Sequence, residues 1–424
     1  MSELLLHRKR LYHVGNLSIF MIGLGFAVRA NIASNLQEDI YDKIDLANSA
    51  ALVGEALSAT FMGFALTLLF GSALVDLIGM KRMLLLSALG YIAGAVGLVF
   101  ATTMAINSSV ETVIWVSLLL TGLGWGAVEA ASNPMVAALY PEEKTHRLNI
   151  LHAWWPAGIV VGGLMGYTIT RVGLPWELNM FVLLLPALAL AWMVSRATFP
   201  VTERVAAGVS YGQMFSELLK RPLFWVFWVC MFFTATAELA PGQWVNIALS
   251  HIVGMQGILL LVYVSALMFV MRHFAGPIVA HISPIGLMFV SCLAAGIGLY
   301  LLSLADTPAL AFGAATVWGI GVCYLWPTML AITSERFPRG GAMALGLMGF
   351  AGGMAIKFVL PQMGAIFDTA KAQAAGGADQ LATLSPQAMQ EVLRYASVES
   401  FQSVAIVPLL LLPVFGLIWL FDRR

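Results

Sequence analysis

Apolar residues along the chain gather into twelve long runs separated by short polar connections, at about 15–36, 47–75, 83–103, 112–139, 149–171, 178–197, 222–249, 256–281, 285–304, 308–334, 341–368 and 402–421. Roughly 20 apolar residues cross a bilayer as a helix, so each run predicts a membrane-spanning helix, and the longer ones predict tilt. The alternating segments of about ten residues that mark a transmembrane β-barrel do not occur. The expected fold class is therefore an all-α membrane protein with twelve transmembrane helices. Composition sharpens this: 60% of the 424 residues are hydrophobic, 10% are charged and the mean hydropathy is +0.87, whereas soluble domains carry about 25% charged residues. Little chain is left for a soluble catalytic domain.

Charge changes the picture through its placement. The 22 Lys and Arg balance the 22 Asp and Glu, which excludes a large basic face for nucleic acid. Cytoplasmic connections are enriched in Lys and Arg, and if the N-terminus lies inside, fifteen cations fall on that side, among them Arg8, Lys9, Arg10, Lys81, Arg82, Lys144, Arg147, Arg336 and Arg339. Only Lys43, Arg171, Lys371 and Arg394 fall outside. Both termini are thus expected in the cytoplasm, with the first span serving as an uncleaved signal-anchor. The longest connection on the cytoplasmic side divides the chain into an N-terminal six-helix bundle, 1–197, a linker, 198–221, and a C-terminal six-helix bundle, 222–424. The connection at 369–401 is Ala-, Gly- and Gln-rich and is expected to be a mobile outer segment. Cys230, Cys292 and Cys323 lie within apolar runs and read as packing residues.

Six plus six spans around a central loop is the plan of transporters built from two related bundles. Echoes between the halves agree. Gly71 to Arg82 follows span two and Gly276 to Gly286 follows span eight; Asn133-Pro134 in span four is matched by Trp326-Pro327 in span ten. The segment GSALVDLIGMKR, Gly71 to Arg82, resembles the loop signature of the major facilitator superfamily, in which Asp76, Lys81 and Arg82 are expected to form a cytoplasmic gate latch. Within that superfamily three stretches resemble the fucose/glucose/galactose permease group of sugar:proton symporters. They are VEAASNPMV at Val128 to Val136, RLNILHAWWPAG at Arg147 to Gly158 and AELAPGQWVNIAL at Ala237 to Leu249. The sequence also departs from that group. Ser34 stands where the fucose permease has an acidic residue in span one, Arg29 lies just before it, and His152 and Trp155 replace an expected Gln and Asn.

Six ionisable residues lie inside apolar spans: Glu55, Glu129, Glu238, Arg29, Arg272 and Lys357. Each costs about 2.5–3.5 kcal/mol at mid-helix on insertion scales, so each is expected to face a partner or a polar cavity. The expected pairs are Arg29 with Glu129 and Lys357 with Glu238. Glu55 is expected to be a gate or packing charge, and Arg272 to snorkel to the interface. Glu129 with Arg29 is the candidate for proton coupling.

Asn31, Asn133, Asn149, His152, Trp155, Glu238, Gln243, Asn246, Tyr324, Trp326 and Lys357 are the candidate substrate-binding residues. Amides supply donors and acceptors to hydroxyl groups, and indoles supply a flat apolar face. No GxxxxGK[ST] phosphate loop, HExxH metal spacing or GxSxG elbow occurs, so no cofactor, no metal and no enzymatic activity are expected. The sequence thus reads as a secondary active transporter in a bacterial inner membrane. It would work as a monomer in contact with lipid, moving a small neutral polar solute, a monosaccharide, by symport with protons or sodium. Its rivals are a proton-coupled exporter of amphipathic compounds and an organic-anion transporter that uses Arg29 and Lys357.

Overall fold

The computed structural model describes residues 2–140, 144–201, 208, 210–274 and 281–422. Within these, the side chains of 2–6, 137, 144–146, 149, 211, 214, 215, 217, 253, 334, 338 and 341 are not described. Part of the 198–221 linker, the start of the Gly276 to Gly286 echo, the C-terminal Arg423 and Arg424, and the side chain of Asn149 therefore lie outside the described residues.

Every predicted span coincides with a helix, and the described residues contain no strand. We number them α1 (Ser2–Leu36), α2 (Ser49–Ile78), α3 (Met80–Thr102), α4 (Ser108–Leu139), α5 (Lys144–Arg171) and α6 (Leu178–Ser195). After a short helix at Tyr211–Leu219 come α7 (Pro222–Val253), α8 (Ile258–Arg272), α9 (Pro284–Ser303), α10, α11 (Gly341–Ala375) and α12. α10 is broken into Pro308–Val322 and Leu325–Arg336, and α12 into Pro386–Leu409 and Leu412–Asp422. Ten helical stretches are long and apolar enough to cross a membrane; α8 is shorter, at 15 residues.

Local chemistry fixes the ends. Proline opens α7 and α9, both pieces that begin at Pro308 and Pro386 do the same, and proline suits a first turn whose N–H groups have no helical partner. Asn107, Ser283, Thr307 and Ser385 accept a backbone N–H of the first turn with their side chains. α7 and α11 end on Gly254 and Gly376, whose φ values of 67° and 81° an L side chain rarely adopts.

Helix packing repeats with a shift of six. In the first half α1 packs on α4, α5 and α6, α2 on α4, and α3 on α4 and α6; in the second α7 packs on α10, α11 and α12, α8 on α10, and α9 on α10 and α12. Among the described residues the main pairings that join the halves are α2 with α11, α5 with α8, and α1 with α7, and α1 also touches α8. The α2–α11 seam is the tightest, because Gly54 and Gly364 let the backbones meet at Leu360 and Ala50.

Two expectations are corrected at one end of this seam. α11 runs on to Ala375, so Lys371 is a buried residue of that helix and not a charge of an outer loop. It pairs with Asp368 at 2.8 Å and donates to the Leu46 carbonyl at 2.9 Å. Asp368 in turn accepts the Ala51 N–H at 2.9 Å, capping α2 from the other half of the chain, since Asn48 at its N-cap gives no side-chain bond. The 369–401 segment is also more structured than its composition suggests, with a 3-10 turn at Ala378–Thr383 and helix from Pro386.

Candidate functional site

At the centre of the molecule the halves close on a cavity of about 10 Å³, bordered by Phe26 of α1, Trp155 of α5, Glu238 of α7, Ser265 and Met268 of α8, and Trp318 of α10. That volume holds about one water. Aromatic rings fill the surroundings: Phe26 lies 5.2 Å from Trp155 and 6.3 Å from Trp125, Trp125 lies 4.5 Å from Phe64, and Phe64 lies 6.2 Å from Trp326. Two polar atoms of the cavity wall, Trp155 Nε1 and Ser265 Oγ, have no hydrogen-bond partner.

The buried charges pair differently from expectation. Glu238 binds Arg272 at 3.2 Å, with side chains 3% and 8% exposed, and Lys357 binds Glu55 at 2.6 Å. Arg272 therefore does not snorkel. It is drawn inward because the sequence supplies it with acceptors that other helices cannot satisfy. A proline at i removes the N–H that would bond the carbonyl at i−4. Pro156 frees the carbonyl of His152, which accepts Arg272 Nη1 at 3.4 Å; Pro327 follows the break in α10, where the Cys323 carbonyl accepts Arg272 Nε at 3.1 Å. Glu238 completes the repair, accepting the Trp326 N–H at 3.0 Å in the first turn of the second α10 piece. An anion thus sits at that helix N-terminus and a cation at the preceding C-terminus, as the helix dipoles favour. Pro241 acts alike in α7: the carbonyl of Ala237, four residues earlier, accepts Trp318 Nε1 at 3.2 Å.

The pairing of Arg29 with Glu129 does not occur either. Glu129 Oε2 accepts Asn133 Nδ2 at 2.8 Å, and Asn133 Oδ1 lies 2.9 Å from His152 Nε2. With Nδ2 of the amide committed to the carboxylate, Oδ1 is the acceptor and His152 the donor. The three residues form a relay from α5 to α4. Among the described residues no cation lies within ion-pair distance of Glu129. Arg29 is 2% exposed and has no carboxylate or carbonyl partner; the polar group that faces its guanidinium is the Tyr91 hydroxyl. Its guanidinium stands 5.4 Å from the Trp125 ring and 6.0 Å from the Phe26 ring.

Several candidates serve the seam. Asn246 Nδ2 donates to the Asn31 carbonyl at 3.0 Å while its Oδ1 accepts the Ile258 N–H at 2.7 Å; Asn31 Nδ2 donates to Asn179 at 3.3 Å; Gln243 Nε2 donates to the Phe26 carbonyl at 3.0 Å. Tyr324 donates to the Met271 carbonyl at 3.0 Å. Trp326 packs against Phe64 across the α2–α11 side. In the loop motif, Lys81 donates to the Ser195 and Ala197 carbonyls at 2.8 and 3.1 Å, fastening the end of α6, and Arg82 is exposed. Asp76 stands in the last turn of α2.

The sequence reading missed Tyr91, Trp125, Asn179, Ser265, Trp318, Asp368 and Lys371. The signal for the first five is a polar tip within a span, one that hydropathy averages away. For the last two it is the i, i+3 spacing of opposite charges.

The Major Facilitator Superfamily sequence profile matches residues 16–357. No curated protein matches the chain. Among solved structures the fold is similar to the xylose transporter XylE from E. coli in a partially occluded inward-open conformation, with a TM-score of 0.75 and 14% identity, covering 96% of this chain and 98% of that one. It is also similar to a mutant of the nucleoside transporter NupG, with a TM-score of 0.70, 11% identity and 98% and 100% coverage. The human organic anion transporter MFSD10 gives a TM-score of 0.65, 14% identity and 96% and 99% coverage. These likenesses are of fold. The profile match, spanning most of the chain, and the twelve-helix architecture together give the conclusion that this chain belongs to the Major Facilitator Superfamily, a family of transporters and not of enzymes.

Proposed function

We propose that the protein takes up a small polyhydroxy solute of the monosaccharide class by proton symport, with Glu129 as the residue that carries the proton. The observation that carries this reading is the relay His152–Asn133–Glu129, which ends on a carboxylate with no cation beside it among the described residues. A permanent ion pair would hold Glu129 charged throughout the cycle; here its charge rests on hydrogen bonds alone, and a proton can neutralise it. Trp155 and Ser265, with unused polar atoms beside the Phe26 and Trp318 rings, suit hydroxyl groups and the apolar face of a sugar ring.

The two halves, 1–197 and 222–424, would rock about the central site on the linker 198–221. The repeated packing and the three seams support this division. The cavity has to widen to admit a sugar, so the closed arrangement suits an occluded step, with Asn31, Gln243 and Asn246 fastening one side. The surplus of Lys and Arg in alternate connections supports cytoplasmic termini; the membrane of this reading is a bacterial inner membrane. The Lys81 bonds to the end of α6 support a role for the Gly71 to Arg82 loop in holding that mouth.

In proteoliposomes, Glu129→Gln is expected to abolish pH-driven accumulation of a radiolabelled monosaccharide while leaving counterflow exchange intact. Accumulation that survives the change would sink the proton role.

A further inference from the structure

Three donor groups lie together beside the central site with no anion to donate to. Arg29 of α1, Tyr91 of α3 and Trp125 of α4 are 2%, 0% and 3% exposed; the Tyr91 hydroxyl is the polar group that faces the Arg29 guanidinium, and no carboxylate or carbonyl accepts from the guanidinium or from the Trp125 indole nitrogen. Arg29 Nη1 and the Tyr91 hydroxyl flank the same point above Gly25, and the guanidinium faces the Trp125 ring. Arginine and indole can only donate; the tyrosine hydroxyl can join them as a third donor. Burying a cation without a partner is strongly unfavourable, and the ring faces of Phe26 and Trp125 offset only part of that. The chain's own acids are engaged elsewhere: Glu238 with Arg272, Glu55 with Lys357, Asp368 with Lys371, and Glu129 with Asn133. Arg29 is the buried charge left over among the described residues.

We propose that Arg29, Tyr91 and Trp125 form a carboxylate-binding pocket, and that the transported polyhydroxy solute is an acidic one, a uronic or aldonic acid. This deepens the transport reading and rests on it. One planar guanidinium with two neutral donors matches the two oxygens of a carboxylate; a phosphate dianion would call for a second cation. The place is right for a substrate headgroup, because Arg29 lies one helical turn beyond Phe26, whose ring borders the cavity. The carboxylate would enter between Phe26 and Trp125, and the hydroxyl groups would remain at Trp155 and Ser265.

Charge balance then gives the coupling a physical basis. In the empty state, an ionised Glu129 on α4 would balance the charge of Arg29 across the site without pairing with it. In the loaded state the carboxylate offsets Arg29 and Glu129 must be protonated to keep the balance. States with one of the two partners carry a net charge into the closing membrane interior and are disfavoured. The ionisable groups on the helices around Arg29 are Tyr91, Glu129 and His152, with Glu238 and Arg272 across the seam; the last two neutralise each other. A neutral sugar would leave Arg29 uncompensated whenever Glu129 is protonated.

The test is ligand binding to the full-length protein in detergent, by isothermal titration and thermal shift. The probes are D-glucuronate, D-galacturonate and D-gluconate, their neutral parents D-glucose and D-galactose, and acetate. At least one sugar acid is expected to bind at least tenfold tighter than its neutral parent and than acetate, and Arg29→Gln to weaken it by about thirtyfold or more, the scale of a lost charge-assisted pair. Tyr91→Phe, which removes one donor and keeps the ring, is expected to weaken it several-fold, and carries the test if Arg29→Gln does not fold. In proteoliposomes, uptake of the acid should respond to a pH gradient and not to an imposed membrane potential, because one proton and one carboxylate sum to zero charge. Equal binding of acid and neutral parent, retained acid binding in both variants, or no binding by any sugar acid would overturn the proposal. Failure of the proton reading is separate: it shows as accumulation that survives Glu129→Gln while acid binding still depends on Arg29.

Discussion

Replacing Arg272 with methionine keeps most of the side chain's bulk and removes its charge and donors. The guanidinium now holds a carboxylate that is 3% exposed in its side chain and two proline-freed carbonyls on different helices. Breaking a buried pair by removing one partner costs about 3–5 kcal/mol, because the other charge is left in a medium that cannot solvate it. Each lost hydrogen bond to a carbonyl adds about 0.6 kcal/mol, the average measured between membrane helices. Arg272→Met should therefore lower the unfolding free energy by about 4–6 kcal/mol, measured by SDS titration in mixed micelles. Adding Glu238→Gln removes the orphaned charge while leaving an amide oxygen for the Trp326 N–H, so the double variant should be more stable than Arg272→Met, by at least about 2 kcal/mol on the same scale. The Lys357–Glu55 pair is the internal control. Its side chains are 17% and 45% exposed against 8% and 3% for Arg272 and Glu238, so Lys357→Gln should cost less than Arg272→Met. If Arg272→Met costs as little as Lys357→Gln, or if the double variant is worse than the single one, the pair is not the desolvated repair of a broken helix that its geometry describes.

Two further expectations concern the α2–α11 seam. A Cβ at Gly364 would fall 2.3 Å from the Ala50 carbonyl oxygen, so Gly364→Leu should pry apart the end of the seam near Ser49, and a cysteine placed at the fully buried Ser49 in a cysteine-free background should react with maleimide at least tenfold faster than without the change; an unchanged rate would refute the tight approach. Asp368→Asn keeps an amide oxygen that can accept the Ala51 N–H but leaves Lys371, 3% exposed in its side chain, without its counter-charge, and should cost about 3–5 kcal/mol, the range for breaking a buried pair, with the same Ser49 probe reporting opening; equal stability and equal labelling would show that the pair is not part of the closure.

What was legible in the sequence follows from the range over which each signal acts. Hydropathy acts over some 20 residues, and so it located all twelve helices, including α8, whose run overestimates the 15 helical residues. The ends of helices depend on single residues: the apolar run of α11 ends at 368, whereas the helix continues to Ala375, with Lys371 held within it by Asp368 and the Leu46 carbonyl. The identity of the buried charges was legible, since each is anomalous against an apolar background. Their partners were not, because pairing depends on which helix faces meet across the molecule, and three acids with three bases allow several matchings.

The correction to the pairs changes what the site can mean. Had Arg29 met Glu129, both charges would be satisfied within the protein, and nothing would remain to recognise a charged solute. Assigning Glu238 to Arg272 and Glu55 to Lys357 consumes two acids and two bases and leaves one of each on adjacent helices, held apart. Glu129 is held by an amide and Arg29 by rings, and neither kind of contact fixes a protonation state or fills an anion's place as an ion pair would. The prolines explain why Arg272 was taken from its interface and used in this way. Pro156 within α5 and Pro327 after the break in α10 free the carbonyls of His152 and Cys323, which accept from Arg272, and Glu238 is its counter-ion. A chain whose proline-freed carbonyls are satisfied by one ion pair can leave its remaining acid and base free for a proton and a carboxylate, and that separation is the feature on which coupled transport through this site would rest.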